Sequence, residues 1–173
     1  MAVIRPLNGV TPQVGEHTFL AETAVLVGDV VIGEHCSIWY NAVLRGDVNP
    51  IRIGNNVNIQ DGAVLHTLYK RSVVEIGNNV SVGHNANIHG AKVEDDVLIG
   101  MGATLLDGVV VGKGAVVAAN SLVRANTQIE PYTVWAGVPA VKVKDLGPDQ
   151  HDMGRKNAEG YLLYKSWYTD PQE

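Results

Sequence analysis

Aromatics, charge and cysteine are all scarce in this chain of 173 residues. Phe occurs once, and Phe, Trp and Tyr together make up 6% of the sequence. Large aromatics ordinarily fill much of a globular core, so this interior must be layered from thin, branched side chains. The charged fraction is only 18%, but a hydrophobic fraction of 46% excludes a disordered chain. A net charge of −5, with Lys and Arg dispersed, argues against nucleic acid and anionic membrane as partners. No apolar run exceeds Ala115 to Ala119, far short of a membrane span. The opening Met1-Ala2-Val3-Ile4-Arg5-Pro6 carries no apolar core of a secretory signal. The lone Cys36 excludes an internal disulfide framework. Together these favour a cytoplasmic location in a reducing compartment. The length suits one domain better than two.

What the chain has in excess is Val, Ile, Leu and Gly, and these recur with a period of six. Aliphatic residues stand six apart at Val14, Leu20, Leu26, Ile32, Ile38 and Leu44. The series resumes at Ile53, Ile59 and Leu65, then at Ile76, Val82 and Ile88. It finishes with Val93, Ile99, Leu105, Val111, Val117, Val123 and Ile129. Gly often follows the aliphatic residue, and a small or β-branched residue such as Cys36, Ala42, Ala63 or Ala103 stands four places after it. Such a period predicts a parallel β-helix in which each hexapeptide gives one strand and one turn. Three hexapeptides complete a triangular coil. Each inward aliphatic side chain stacks on its equivalent about 4.8 Å away, and Gly or Asn accepts the positive φ of the turns. The pattern resembles the left-handed hexapeptide-repeat family, and the hand is what that resemblance implies. The reading is a left-handed parallel β-helix of six to seven coils over residues 1–145. A C-terminal segment, 146–173, follows, with one helix from about Pro148 to Tyr168 packed on the coil and weakened by Gly154 and Gly160.

Three departures from the period mark a candidate site. Leu44 to Ile53 is three residues too long, Leu65 to Ile76 five too long, and Ile88 to Val93 one too short. All fall at the same corner of the triangle, and loops on a rigid scaffold commonly carry function. The residue just after the third-face aliphatic position is Arg45, then His66, then His89, so these should stack, with the two histidines on adjacent coils. His84 lies at the second corner. An extended stretch from His84 to His89 covers roughly 16 Å at ~3.3 Å per residue, too far for both to ligate one ion within a chain. A neighbouring chain could supply His84 if second and third corners meet around a threefold axis. Three histidines would then leave a zinc coordination position open. The plainer reading is that these are surface histidines at turns, and for His17, His35 and His151 that reading stands.

The motifs Arg45-Gly46-Asp47, Asn58-Ile59-Gln60-Asp61-Gly62, Leu65-His66, Gly83-His84-Asn85 and Ile88-His89-Gly90 resemble those of the γ-class carbonic anhydrases and their shorter relatives. The similarity runs from about residue 10 to 165, including Asn157-Ala158-Glu159-Gly160-Tyr161. It implies a homotrimer with His66, His84 and His89 binding Zn2+, or Fe2+ or Co2+, at the interface. Arg45 and Asp47 would join Asp61 of a neighbour in an interface salt bridge. Gln60 would orient the metal-bound hydroxide that attacks CO2 to give bicarbonate, Asn58 would support it, and Tyr161 would close the pocket. Ordinary helix packing is the plainer role for Tyr161, and trimer assembly for the three charged residues. The chain carries Val48 and Tyr69 where the family's best-characterised members carry acidic residues, and Ala91 where many relatives have cysteine.

Two rival readings remain open on the sequence. A hexapeptide acyltransferase or thioesterase would share Gly137-Val138-Pro139-Ala140, although Val141 rather than a basic residue follows. A catalytically silent, metal-stabilised scaffold would keep the histidines without turnover.

Overall fold

The computed structural model describes residues 1–169 and is a left-handed parallel β-solenoid of about seven turns with one C-terminal helix. The three faces follow the hexapeptide phase without a slip. On the first face Val14, Ile32, Ile53, Ile76, Val93, Val111 and Ile129 are successive register partners. On the second face the partners are Leu20, Ile38, Ile59, Val82, Ile99, Val117 and Trp135. On the third they are Leu26, Leu44, Leu65, Ile88, Leu105 and Val123. Most of these aliphatic side chains are fully buried, as are the corner residues Cys36, Ala42, Ala63, Ala86 and Ala103. Stacked branched side chains thus fill a narrow interior at close-packed density.

Gly62, Gly102, Gly108 and Gly114 take the positive φ expected of turn glycines, but the glycines directly after the aliphatic residues serve another purpose. The left-handed residue stands three places after the aliphatic one, at His17, His35, Asn56, Asn79 and Asp96 on the first corner. Its N–H donates to the preceding coil, as Asn56 does to the Glu34 carbonyl and Asn79 to that of Asn55. The glycine directly after the aliphatic residue has ordinary φ, and its role is steric. A Cβ on Gly33 would lie 2.5 Å from the Gly54 carbonyl oxygen, and one on Gly54 2.7 Å from that of Gly77. The side chains of Asn55, Asn78 and Asp95 occupy the room so created. Each accepts the backbone N–H of its counterpart one coil back, at 2.7–2.9 Å.

Two strands outgrow the one-strand-per-hexapeptide rule. Val25–Ile32 and Val43–Ile53 run round the third corner and pair with each other, with a register shift between Gly28 and Val30 that absorbs the first insertion. The N-terminal strand Val3–Arg5 pairs with Val25–Val27. At the other end Thr133–Gly137 turns back, through a cis Val138–Pro139 bond, into the antiparallel strand Ala140–Asp145. The expected closing segment is therefore a hairpin.

A short 3-10 turn, Pro148–Gln150, precedes the helix Met153–Thr169, which lies on the second face. Gly154 has a packing role in this helix. It lets the helix approach the coil, since a Cβ there would sit 2.1 Å from the Asp96 carbonyl oxygen. Among the described residues no helix is long and apolar enough to cross a membrane.

Candidate metal centre

Strand pairing brings two histidines together at the third corner. His66 and His89 are register partners on neighbouring strands. Because Leu65 and Ile88 point inward, the residue after each points outward. His66 Nδ1 and His89 Nε2 lie 3.2 Å apart, with the ring planes inclined at 60°. Two nitrogens about 2.0–2.1 Å from one tetrahedral ion stand about 3.3–3.4 Å apart, so this pair suits a metal. Their outer nitrogens face carboxylates, with His66 Nε2 3.0 Å from Asp47 Oδ1 and His89 Nδ1 2.9 Å from Asp107 Oδ2.

His84 occupies the second corner, where its Nδ1 lies 2.9 Å from Asp61 Oδ2. Every histidine of the candidate set thus has one ring nitrogen on a carboxylate and the other turned away from it, an arrangement that commonly orients metal-binding imidazoles. Among the described residues no three His, Cys, Asp or Glu side chains converge on one point within a single chain.

Arg45 pairs with Asp47 of its own strand, while Asp61 of the same chain pairs with His84. Burial raises the Asp47 carboxyl, but hydrogen bonds from Arg45 and His66 outweigh it and hold the group below the usual range. Asp107 behaves alike: burial raises it, and bonds from Ser72 and His89 bring it below the ordinary value.

Gln60 is buried and committed within its chain. Its Oε1 accepts the His84 backbone N–H at 3.1 Å, and its Nε2 donates to Asn58 Oδ1 at 2.9 Å. Asn58 Nδ2 donates in turn to Ser81 Oγ at 2.7 Å. Gln60 and Asn58 therefore brace the turn that presents His84.

The aromatics missing from the interior gather outside it. Phe19, Trp39, Tyr40, Tyr161, Tyr164, Trp167 and Tyr168 form a chain of ring contacts between the second face and the helix. Trp39, Tyr40, Asp61, His84, Tyr161, Tyr164, Trp167 and Tyr168 line a cleft of about 280 Å3. Burial pushes the Tyr161 hydroxyl up to about 12, with Asp61 adding to the effect. Asp107 and Ser72 carry no motif that the sequence singles out. A signal for Asp107 existed, since it is an acidic residue at the same corner one coil beyond His89.

The fold and the paired histidines define a hexapeptide-repeat β-helix protein with a candidate metal corner. A family model described as bacterial transferase hexapeptide (six repeats) matches residues 11–46 and 90–125. The chain is 45% identical over 172 residues to a carbonic anhydrase of Geobacillus kaustophilus, covering 99% of this chain and 93% of that protein. It is 48% identical over 157 residues to the mitochondrial gamma carbonic anhydrase 2 of Arabidopsis thaliana. That match covers 88% of this chain but 56% of the plant protein, so the chain spans about half the length of that relative. A hexapeptide transferase family protein from Anaplasma phagocytophilum superposes with a TM-score of 0.90 at 36% identity, covering 96% of this chain and 98% of that one. The chain belongs to the γ-class carbonic anhydrase-like family of hexapeptide-repeat proteins.

Proposed function

We propose that the protein is a carbonic anhydrase-like metalloenzyme acting on carbon dioxide and bicarbonate, with zinc held between subunits of a homotrimer. Ferrous iron or cobalt would suit the same imidazole donors. The observation that carries the reading is the His66–His89 pair, whose facing nitrogens are 3.2 Å apart. His84, with Nδ1 on Asp61, keeps Nε2 for an ion shared with a neighbouring chain. When bound, zinc supplies hydroxide at neutral pH by lowering the pKa of its water to about 7.

The chain's own groups supply the rest. Asp47 and Asp61 orient His66 and His84. Gln60 fixes the His84 backbone and spends one of its two Nε2 hydrogens on Asn58, leaving one for a substrate or water. Tyr161, held protonated far above neutral pH, acts as a hydrogen-bond donor rather than a base. Val48 and Tyr69 offer no carboxyl for proton export, so turnover should rise with external buffer concentration.

Mixed trimers test the reading. His84→Ala and His89→Ala proteins should each lose metal and activity. Refolded together, they should regain one site in each mixed trimer, because intact His84 and intact His66/His89 then meet across an interface. No recovery of metal on mixing, with trimers intact, would sink the shared site; metal without stopped-flow hydration would sink the activity.

A second reading is acyl transfer or hydrolysis, favoured by the aromatic cleft beside His84, whose 280 Å3 exceeds the needs of a triatomic substrate. Calorimetric binding of coenzyme A, competed by an acyl thioester, would favour it.

A further inference from the structure

We propose that the three departures from the six-residue period, together with Asp107 one coil beyond, form one positioning device for His89, built from Asn49, Ser72 and Asp107. The inference rests on the metal reading above and adds residues to it.

The hydrogen bonds link all three breaks and converge on Asp107. Asn49 belongs to the first insertion, and its Nδ2 donates to the carbonyls of Leu68 and Ser72, both at 2.7 Å, in the second insertion. Within that second insertion Ser72 N–H returns to the Leu68 carbonyl at 3.1 Å, closing the loop on itself. Leu68 N–H donates to Ser72 Oγ at 2.9 Å. With that acceptor site filled, the Ser72 hydroxyl gives its single proton to Asp107 Oδ1, at 2.5 Å and 35 residues away in sequence. Asp107 Oδ2 faces His89 Nδ1 at 2.9 Å.

An ionised carboxylate only accepts, so His89 must carry its proton on Nδ1. The lone pair then sits on Nε2, the atom that faces His66. The third break makes the room. Gly90, in the shortened interval, has φ +63°, and a Cβ there would lie 2.1 Å from Ser72 Oγ and 2.3 Å from Asp107 Oδ1. No other residue admits this pair. The carboxylate behind His66 is instead held by Arg45, a neighbour on the same strand. Only His89 depends on groups gathered from separate insertions.

Asp107→Ala, Ser72→Ala and the conservative Ser72→Thr test the device through two readouts. The first is the long-range 1H–15N spectrum of metal-free protein at a pH where the imidazoles are neutral. Wild type and Ser72→Thr should show His89 as a single Nδ1–H tautomer, Ser72→Ala and Asp107→Ala a mixture. The second is zinc affinity by chelator competition, which should fall about 10–100-fold in Asp107→Ala and less in Ser72→Ala, the range typical for such supporting groups. Ser72→Ala should keep its oligomeric state and melt only a few degrees below wild type, for the loss of its two hydrogen bonds. The inference is overturned if His89 stays Nδ1–H in both alanine variants, or if affinity falls only in step with melting temperature. Should wild type bind no zinc, the metal reading fails, and the tautomer spectra alone still decide the positioning role.

Discussion

From Val93 to Ile129 the chain keeps its period through seven successive aliphatic positions and carries no histidine. From Leu44 to Val93 it breaks the period three times and carries His66, His84 and His89. In the regular stretch every corner repeats one solution, a left-handed residue whose N–H reaches back one coil, as Asn120 does to Met101 and Asn126 to Asp107. In the broken stretch side chains take over, with Asn49, Ser72 and Asp47 bonding across coils where the backbone pattern is interrupted. The inward layers are the same in both. Repetition thus holds the solenoid together, while the irregular side-chain networks gather at the corner where repetition lapses.

The largest expected effect would break this comparison if it were unequal. Ile88 in the broken stretch and Ile99 in the regular one are both fully buried. Ile→Ala at either position should cost about 2–5 kcal/mol. Chemical denaturation of both variants checks it, and a much smaller cost at Ile88 would show that the broken coils are loosely packed. Next, Gly90→Ala should cost roughly 1–3 kcal/mol from its left-handed backbone alone and should also displace Ser72. Its loss of zinc affinity should exceed that of Ser72→Ala. A smaller effect of opposite sign belongs to the helix: Gly160 has open space around its absent Cβ, so Gly160→Ala should stabilise by about 1 kcal/mol. Gly154→Ala, whose Cβ meets the coil backbone, should destabilise in the same melting experiment.

The smallest effect is confined to high pH. Tyr161 is pushed up to about 12 in the folded protein, against about 10 for an unfolded tyrosine. Its contribution to stability is full below pH 10 and is lost as pH rises toward 12. Ultraviolet titration should show one tyrosine ionising late, and Tyr161→Phe should remove that late step.

The fold was legible because its determinants are local and periodic. One aliphatic residue in six sets the face, and the register of Leu65 with Ile88 then puts His66 beside His89 without further information. Asp107 could be placed at the His89 corner, but its bond to Ser72 was not legible, because it joins residues 35 apart and depends on where an irregular loop folds back. Positive φ at turn Gly and Asn residues such as Gly62, Gly102, Asn56 and Asn79 follows the expectation, whereas the steric role of the glycines directly after the aliphatic residues was not legible, since a close approach between coils leaves no mark in one-dimensional sequence. The second task of Gln60, bracing the His84 backbone from a buried position, shows only in three dimensions.

The insertion that carries Ser72 also bears on how such a corner can change over evolutionary time. Register partners in the regular stretch, such as Val111 and Ile129, are separated by 18 residues (129 − 111), whereas His66 and His89 are separated by 23. Loop-closure entropy grows only as the logarithm of length, so those five extra residues cost about 0.2 kcal/mol in closure. A single net hydrogen bond contributes about 0.5–1.5 kcal/mol. A corner can therefore be lengthened at little closure cost, with bonds such as those of Asn49 and Ser72 offsetting part of the entropy of ordering the added residues, while the stacked layers stay untouched.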